Sequence, residues 1–586
     1  MRLIEIRLLD GPNLYRLEPA IKIEVGIGRR RTWYGKREPE RHALVRLSAV
    51  VPRAGQPARV AALADWVRRL RRAHPDGAPG PVHVHRSSDP GHWIVAWPWA
   101  LGDRATLIAE TALALVDRDV RPGLKERLTP RQARGVERAV ARIGEATGPG
   151  PSWIRDADRR LPIVSISGTN GKTTTTRLTA HILREGGKRV GATTSDGIVV
   201  GNSIVEPGDW TGPGGAHAIL HRDDLDAAIL ETARGGILLR GVGYESNEAS
   251  VITNVSSDHM DLQGIHTLPE LVEVKSVIAK LTKPAGWVIL NADDWHVAGI
   301  ARAVRGQVAF FSVAGDRSPR VRRHLAGGGR AYLVREGRLG EADGDRWRPI
   351  AALADVPVTL GGVARHNVAN ALAATGAARA LGVSLAVVKR GLQTFVPSTD
   401  DSRGRLNVFR DDRRVVVVDF AHNEAGVAVL LDVVEAIARS AGDGRRAPIS
   451  AIVGLAGDRP DDTLRGIGRV AGQRAQRIAI KETRKYLRGR SRESMIGEML
   501  AGVRAAGRPT SDIPVYETET EALRAEIAQN GSSSGRREAG RVVVLMCHEE
   551  REEVFRLLDK LGARPIDIAS ELTELVPRLQ GRPRRA

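Results

Sequence analysis

The sequence predicts an α/β protein: a central P-loop-type, doubly wound sheet domain, a C-terminal Rossmann-like α/β domain and an N-terminal α+β domain. Three observations predict it. The apolar run Ile163, Val164, Ile166 breaks at Gly168, meets a second glycine at Gly171, and gives way to helical spacing at Leu178 and Ile182. From about residue 160 to 395, strand-like and helix-like stretches alternate, as in a parallel sheet covered on both faces. From about residue 400, buried strands return at 414–420, 451–455 and 542–547. The expected boundaries are 1–155, 156–398 and 399–586.

The N-terminal stretch opens with Ile4, Ile6 and Leu8 alternating with Glu5 and Arg7, a strand with one buried face. Asp10-Gly11-Pro12-Asn13 is a turn, and Ile21, Ile23 and Val25 alternate again. Val60, Leu63, Val67 and Leu70 make a helix stripe with Arg68, Arg69 and Arg71 on the wet side. Thr129-Pro130 is a cap and first-turn proline for a helix carrying Val136, Val140 and Ile143. His83, His85 and His92 fall on one probable strand without a supporting carboxylate cluster, which argues against a metal. Gly148-Pro149-Gly150-Pro151 reads as a linker.

The stretch Gly168-Thr169-Asn170-Gly171-Lys172-Thr173-Thr174 is a shortened phosphate loop, with Ile166 where the longer pattern has a third glycine. Backbone N–H groups and a helix N-terminus would face a phosphate, Lys172 would add charge, and the Thr173 hydroxyl could hold Mg²⁺. These residues imply nucleotide binding. The strand 227–231 ends in Glu231, and the strand 250–255 leads to His259. Ligands gather at the C-terminal ends of strands in open α/β sheets, so the loop, Glu231 and His259 are expected to share a pocket. Lys275 lies beside the stripe of Leu271, Val274, Ile278 and Leu281, where a lysine ordinarily snorkels outward; Lys280 points away. Residues 315–360 are a small β excursion, 531–535 a flexible Gly/Ser loop, and Cys547 a buried strand residue.

Of 586 residues, 42% are hydrophobic and 27% charged, as in a soluble globular chain of several domains. No apolar run approaches a membrane span, and Glu5 and Asp10 interrupt any signal-peptide core. One cysteine fits a reducing compartment, so a cytoplasmic protein is expected. Lys plus Arg number 89 against 69 Asp plus Glu, a net +20 that favours polyanionic partners, but the arginines are dispersed and carry no nucleic-acid-binding motif.

Taken in order, these motifs resemble the Mur ligase superfamily, and in particular the C-terminal ligase half of cyanophycin synthetases. The likeness covers about 160–586 and rests on the Gly168–Thr176 loop, Gly208–Pro213, Leu230–Gly236, Thr253–His259, Val274-Lys275, Leu290–Asp294, Arg365–Asn370, Gly404-Arg405 and Asp419–Asn423. The first residues, Met1–Leu17, also resemble the start of that family's N-terminal domain. The family's ATP-grasp domain has no counterpart here, which makes a separate ATP-grasp protein a possible partner. Arg403 and Glu424 stand where the family more often has proline.

The resemblance implies an ATP-dependent ligase that turns a carboxylate into an acyl phosphate and joins it to an amine. It implies ATP and two Mg²⁺ sites, with Thr173, Glu231 and His259 serving the metal and Lys275 carbamylated to offer oxygens to a second ion. Lys172, Lys275 and His259 would be catalytic. Asn291 and Asp294 would lie along the adenine. His366, Asn367 and Asn370 would reach the nucleotide between domains, with Arg405 on phosphate and Asp419 and His422 closing from the C-terminal domain. The implied substrates are an acidic peptide or amino-acid acceptor and an amino-acid donor such as arginine. A homo-oligomer is expected, with no membrane and no nucleic-acid partner. Folylpolyglutamate-synthetase-like chemistry on another acid and a silent, nucleotide-gated scaffold are the alternatives.

Overall fold

The computed structural model describes residues 1–27, 57–117, 130–257, 263–396, 404–411, 414–441, 446–457, 459–528 and 541–566. His259, Thr129, Arg403 and the 531–535 tract lie outside the described residues. Among the described residues there are sheets of four, eleven and seven strands, and each class the sequence predicted is present.

In the central sheet, the strand Ile163–Ser167 lies between Asn247–Ile252 and Ala227–Glu231, parallel to both. Chain order jumps to either side of this strand, so its C-terminal end is a switch point where a crevice opens. Every residue of this strand is buried, as a strand covered on both faces requires. The excursion at 315–360 becomes Arg330–Arg335, Arg338–Asp343 and Arg346–Ala352; the last two extend the sheet antiparallel.

In the C-terminal sheet, Arg414–Asp419, Arg541–Met546, Ile449–Val453 and Arg477–Lys481 run parallel in that spatial order. Their alternate faces bury Val417, Val544 and Ile480 under one helix layer and Val418, Leu545 and Ala479 under the other.

The first sheet pairs Arg2–Leu9, Ala20–Gly26, His92–Pro98 and His83–Arg86 antiparallel, with the helices Ala58–Ala73 and Gly102–Asp117 covering it. The three histidines thus fall on two strands of a hairpin. Its geometry supplies carboxylates that linear sequence did not: His92 Nδ1 is 3.0 Å from Glu24 and 4.0 Å from Asp89.

This sheet docks on the central one by backbone. Asp10 N–H donates to the Arg240 carbonyl at 2.8 Å, and Val242 N–H to the Pro12 carbonyl at 2.7 Å. A Cβ on Gly11 would sit 1.7 Å from the Val242 oxygen, and one on Gly241 2.4 Å from the Gly11 oxygen. Farther along, His266 meets Asp89 at 2.8 Å, and Ser88 bonds Glu270 at the start of the helix Leu268–Lys280. No helix among the described residues is long and apolar enough to cross a membrane.

Candidate functional site

The turn after Ile163–Ser167 is fixed by glycine. Gly168 has φ 148° and Gly171 φ 86°, regions that L side chains rarely adopt. Space forbids a side chain as well: a Cβ on Gly168 would lie 1.9 Å from Thr253 Oγ1, and one on Gly171 2.3 Å from Asn370 Oδ1. The loop is clamped from the neighbouring strand end. Asn170 N–H donates to Asn254 Oδ1 at 3.0 Å, Thr169 N–H to the Asn254 carbonyl at 2.8 Å, and Thr253 Oγ1 to the Asn170 carbonyl at 2.7 Å. The helix Lys172–Glu185 then begins, so its free N–H groups and positive dipole end face the crevice. Lys172 Nζ folds back on the Thr169 carbonyl at 3.0 Å.

Two further residues converge here. Glu231 is buried at the end of the adjacent strand, and its Oε2 has no hydrogen-bond partner. Burial pushes its carboxyl above the usual range, against the pull of Lys172, Arg405 and the Thr173 hydroxyl. A buried carboxylate oxygen without a partner, facing a hydroxyl and an ammonium, fits an oxygen-seeking cation. Lys275 corrects the outward snorkel expected from its helix edge. It is 5% exposed, and its Nζ donates to the Gly168 carbonyl at 2.7 Å, beneath the phosphate loop.

A cleft of about 520 Å³ runs from Asn170, Gly171 and Thr174 past Asn291, Asp294, His366, Asn367 and Asn370 to Arg405, Asp419 and His422. All of these expected nucleotide contacts therefore line one space. Some are already committed to architecture. Asp294 caps the helix Trp295–Gly299 and accepts Val255 N–H at 2.7 Å, and Asn291 donates to the Thr253 carbonyl at 2.8 Å. Asn370 donates to Asn367 at 3.1 Å. His366 is half-buried, its Nδ1 has no partner, and desolvation pushes it down to about 4, so it is neutral near pH 7.

The C-terminal sheet closes the cleft. Arg405 lies 4.7 Å over the Phe420 ring and reaches Ser195 Oγ at 3.5 Å, while Ser195 Oγ is 3.3 Å from Thr173 Oγ1. Next to it, Asp196 pairs with Arg177 at 3.0 Å and with Arg551 at 3.4 Å. Burial raises Asp419 above the usual carboxylate range while it accepts Leu406 N–H at 2.7 Å. His422 Nδ1 lies 3.1 Å from the Phe420 carbonyl oxygen.

Sequence reasoning missed Arg177, Ser195, Asp196 and Arg551; the signal present was Thr193-Thr194-Ser195-Asp196-Gly197, polar residues at a strand end. It also missed a buried strut behind the cleft. Lys481 Nζ binds Glu519 at 2.5 Å and donates to His548 Nδ1 at 2.9 Å, and His548 Nε2 donates to the Ala421 carbonyl at 3.0 Å. Desolvation and the neighbouring Lys481 ammonium keep His548 neutral.

Residues 166–378 match the Mur ligase middle domain. Cyanophycin synthetase of Trichormus variabilis is 38% identical over 410 residues, 70% of this chain and 44% of that protein. The chain thus spans less than half the length of that relative. The UDP-N-acetylmuramoyl-L-alanyl-D-glutamate–2,6-diaminopimelate ligase of Alkalilimnicola ehrlichii is 28% identical over 469 residues, 78% of this chain and 86% of the relative. Among solved structures, E. coli FolC in complex with ADP superposes with a TM-score of 0.48 at 16% identity, covering 68% of this chain and 90% of FolC. Residues 166–378, which hold the Gly168–Gly171 turn, Glu231 and Lys275, are thus a Mur ligase middle domain.

Proposed function

We propose that the chain is an ATP-dependent carboxylate–amine ligase, joining an amino acid to an acidic peptide or amino-acid acceptor. The observation that carries this reading is the convergence of Lys172, Thr173, Glu231 and Lys275 on one phosphate loop, at the mouth of a nucleotide-sized cleft. The phosphate loop and Lys172 bind the triphosphate, and the 291–294 and 366–370 segments take the adenosine side.

A carboxylate is a poor electrophile, so activation is needed. An acceptor oxygen attacks the γ-phosphorus and the bond to the β-bridging oxygen breaks, giving ADP and an acyl phosphate. The amine nitrogen then attacks the carbonyl carbon; inorganic phosphate leaves with the C–O electron pair, and the nitrogen loses a proton. Lys172, the helix N-terminus and Arg405 stabilise charge on the transferring group. Thr173 and Glu231 would hold Mg²⁺, which supplies neutralisation of phosphate charge when bound. A carbamylated Lys275 would offer oxygens to a second ion. Closure over the cleft keeps water from the acyl phosphate.

The test is an amino-acid screen for phosphate release from Mg·ATP with aspartate-rich peptides, followed by mass spectrometry of the product. Release that requires both an acid and an amine, with a product lighter than their sum by one water, supports the ligase. Tight Mg·ATP binding without release for any pair overturns it.

A further inference from the structure

The sequence carries a large excess of arginine, and one part of it gathers in a place the ligase reading leaves unused. A groove of about 630 Å³ adjoins the nucleotide cleft, sharing Asp293 and Arg365 with it. Its floor is Ala292-Asp293 and Ala314, just beyond the strands Thr282–Asn291 and Gln307–Ser312, which are parallel neighbours. It therefore lies on the ligand-binding edge of the sheet, displaced from the phosphate loop. Its wall is the start of the helix Pro319–Ala326, capped by Ser318.

Arg317, Arg320, Arg323 and Arg365 line this groove. Among the described residues, none of the four lies within salt-bridge distance of a carboxylate. Arg317 and Arg320 donate only to carbonyls, of Ala314 at 3.4 Å and Ala292 at 3.1 Å. The nearby acids are taken. Asp316 pairs with Arg335 at 2.7 Å, and Asp293 accepts Ser312 Oγ at 2.5 Å and Val313 N–H at 2.7 Å. Against these four guanidiniums beside a helix N-terminus the groove lining sets one carboxylate, Asp293, which leaves a net positive field.

We infer that this arginine groove holds an acidic polypeptide, tethering a polymeric acid next to the ligase cleft. Two features select that occupant. Arg320 and Arg323 stand three apart on the helix Pro319–Ala326, where such neighbours lie about 5–6 Å apart, and Arg317 ends the turn Gly315–Arg317 just before it. Same-face carboxylates of an extended chain repeat at about 7 Å, within the reach of long guanidinium side chains. The groove lining has no aromatic ring on which bases could stack, whereas single-stranded nucleic acid depends on such platforms. The exposed Trp295 is outside the lining and stacks on His296 at 3.5 Å.

The inference rests on the ligase reading only in its choice of an acidic acceptor, and the experiment separates the two. The full-length chain is titrated with labelled poly-L-aspartate of about 20 residues and, separately, with a 20-nucleotide single strand, at two salt concentrations. The variant is Arg317→Gln with Arg323→Gln; thermal melting checks its fold, and the single, exposed Arg323→Gln replaces it if the double variant melts early. The expected result is poly-aspartate binding weakened about tenfold or more, with Mg·ATP affinity and any turnover of a short acceptor unchanged. Unchanged poly-aspartate binding overturns the groove, as does DNA bound more tightly than poly-aspartate and lost on the same substitutions. Binding lost with no ligation by the wild type leaves the groove standing and removes the ligase; ligation with unaltered polymer binding does the reverse.

Discussion

Asn170 and Asn423 exchange their side-chain amides across the nucleotide cleft: each Nδ2 donates to the other's Oδ1, at 3.2 and 3.1 Å. One belongs to the phosphate loop and the other follows the strand Arg414–Asp419, so the pair reports closure directly. A double-mutant cycle with Asn170→Ala and Asn423→Ala, read as Mg·ATP affinity, is expected to show a coupling of about 0.5–1.5 kcal/mol. Strictly additive losses would mean that closure does not use the pair. Asn423 also accepts Gly426 N–H at 2.8 Å, so its single variant loses an additional helix cap.

Gly168→Ala is expected to weaken Mg·ATP binding at least about 100-fold, because both the backbone region and Thr253 Oγ1 exclude a methyl group. Gly187 is a matched control: it has φ 79°, but nothing lies within 4 Å of its added Cβ. Gly187→Asn should leave nucleotide affinity unchanged, since asparagine tolerates that region. Calorimetric titration of both variants checks the contrast.

Glu231 gives a pH signature. Its folded value lies above its unfolded one, so within that window the native chain holds a proton that the unfolded chain has released. Stability of the nucleotide-free protein therefore falls as pH rises through the window and stays lower above it. Glu231→Gln removes this slope, so urea midpoints of variant and wild type should differ more in the variant's favour at pH 8 than at pH 4. The same substitution should weaken Mg²⁺-dependent nucleotide binding.

Lys481→Met strands the Glu519 carboxylate in the interior and is expected to cost about 3–5 kcal/mol in urea unfolding. Adding Glu519→Gln removes the uncompensated charge but keeps an oxygen for the His548, Glu549 and Glu550 N–H groups. The double variant should therefore recover at least about 1 kcal/mol. No recovery would mean that shape, rather than charge, holds the strut.

The phosphate loop was legible because its glycines are demanded by local backbone geometry, which sequence spacing records. The strand-end acid Glu231 was legible for the same reason: strand ends are local features. Lys275 was misjudged from helical periodicity alone, because an edge position looks wet until the Gly168 carbonyl of another segment covers it. Asp196, Arg551 and the Lys481–His548 strut were not legible. Their partners are distant in sequence, and nothing local marks a lysine in a buried strand as paired.

The molecule's two seams are made of different materials. Between the first and central sheets, peptide meets peptide at Gly11 and Gly241, beside side-chain contacts such as His266–Asp89; between the central and C-terminal sheets, Leu360 and Ala364 join the apolar C-terminal core and the polar grip is two amides, a serine and a few long guanidiniums. Side chains can let go and re-form in a turnover, and interlocked main chain cannot. The first two sheets should thus travel as a single anvil, leaving any closing movement over the cleft to the third.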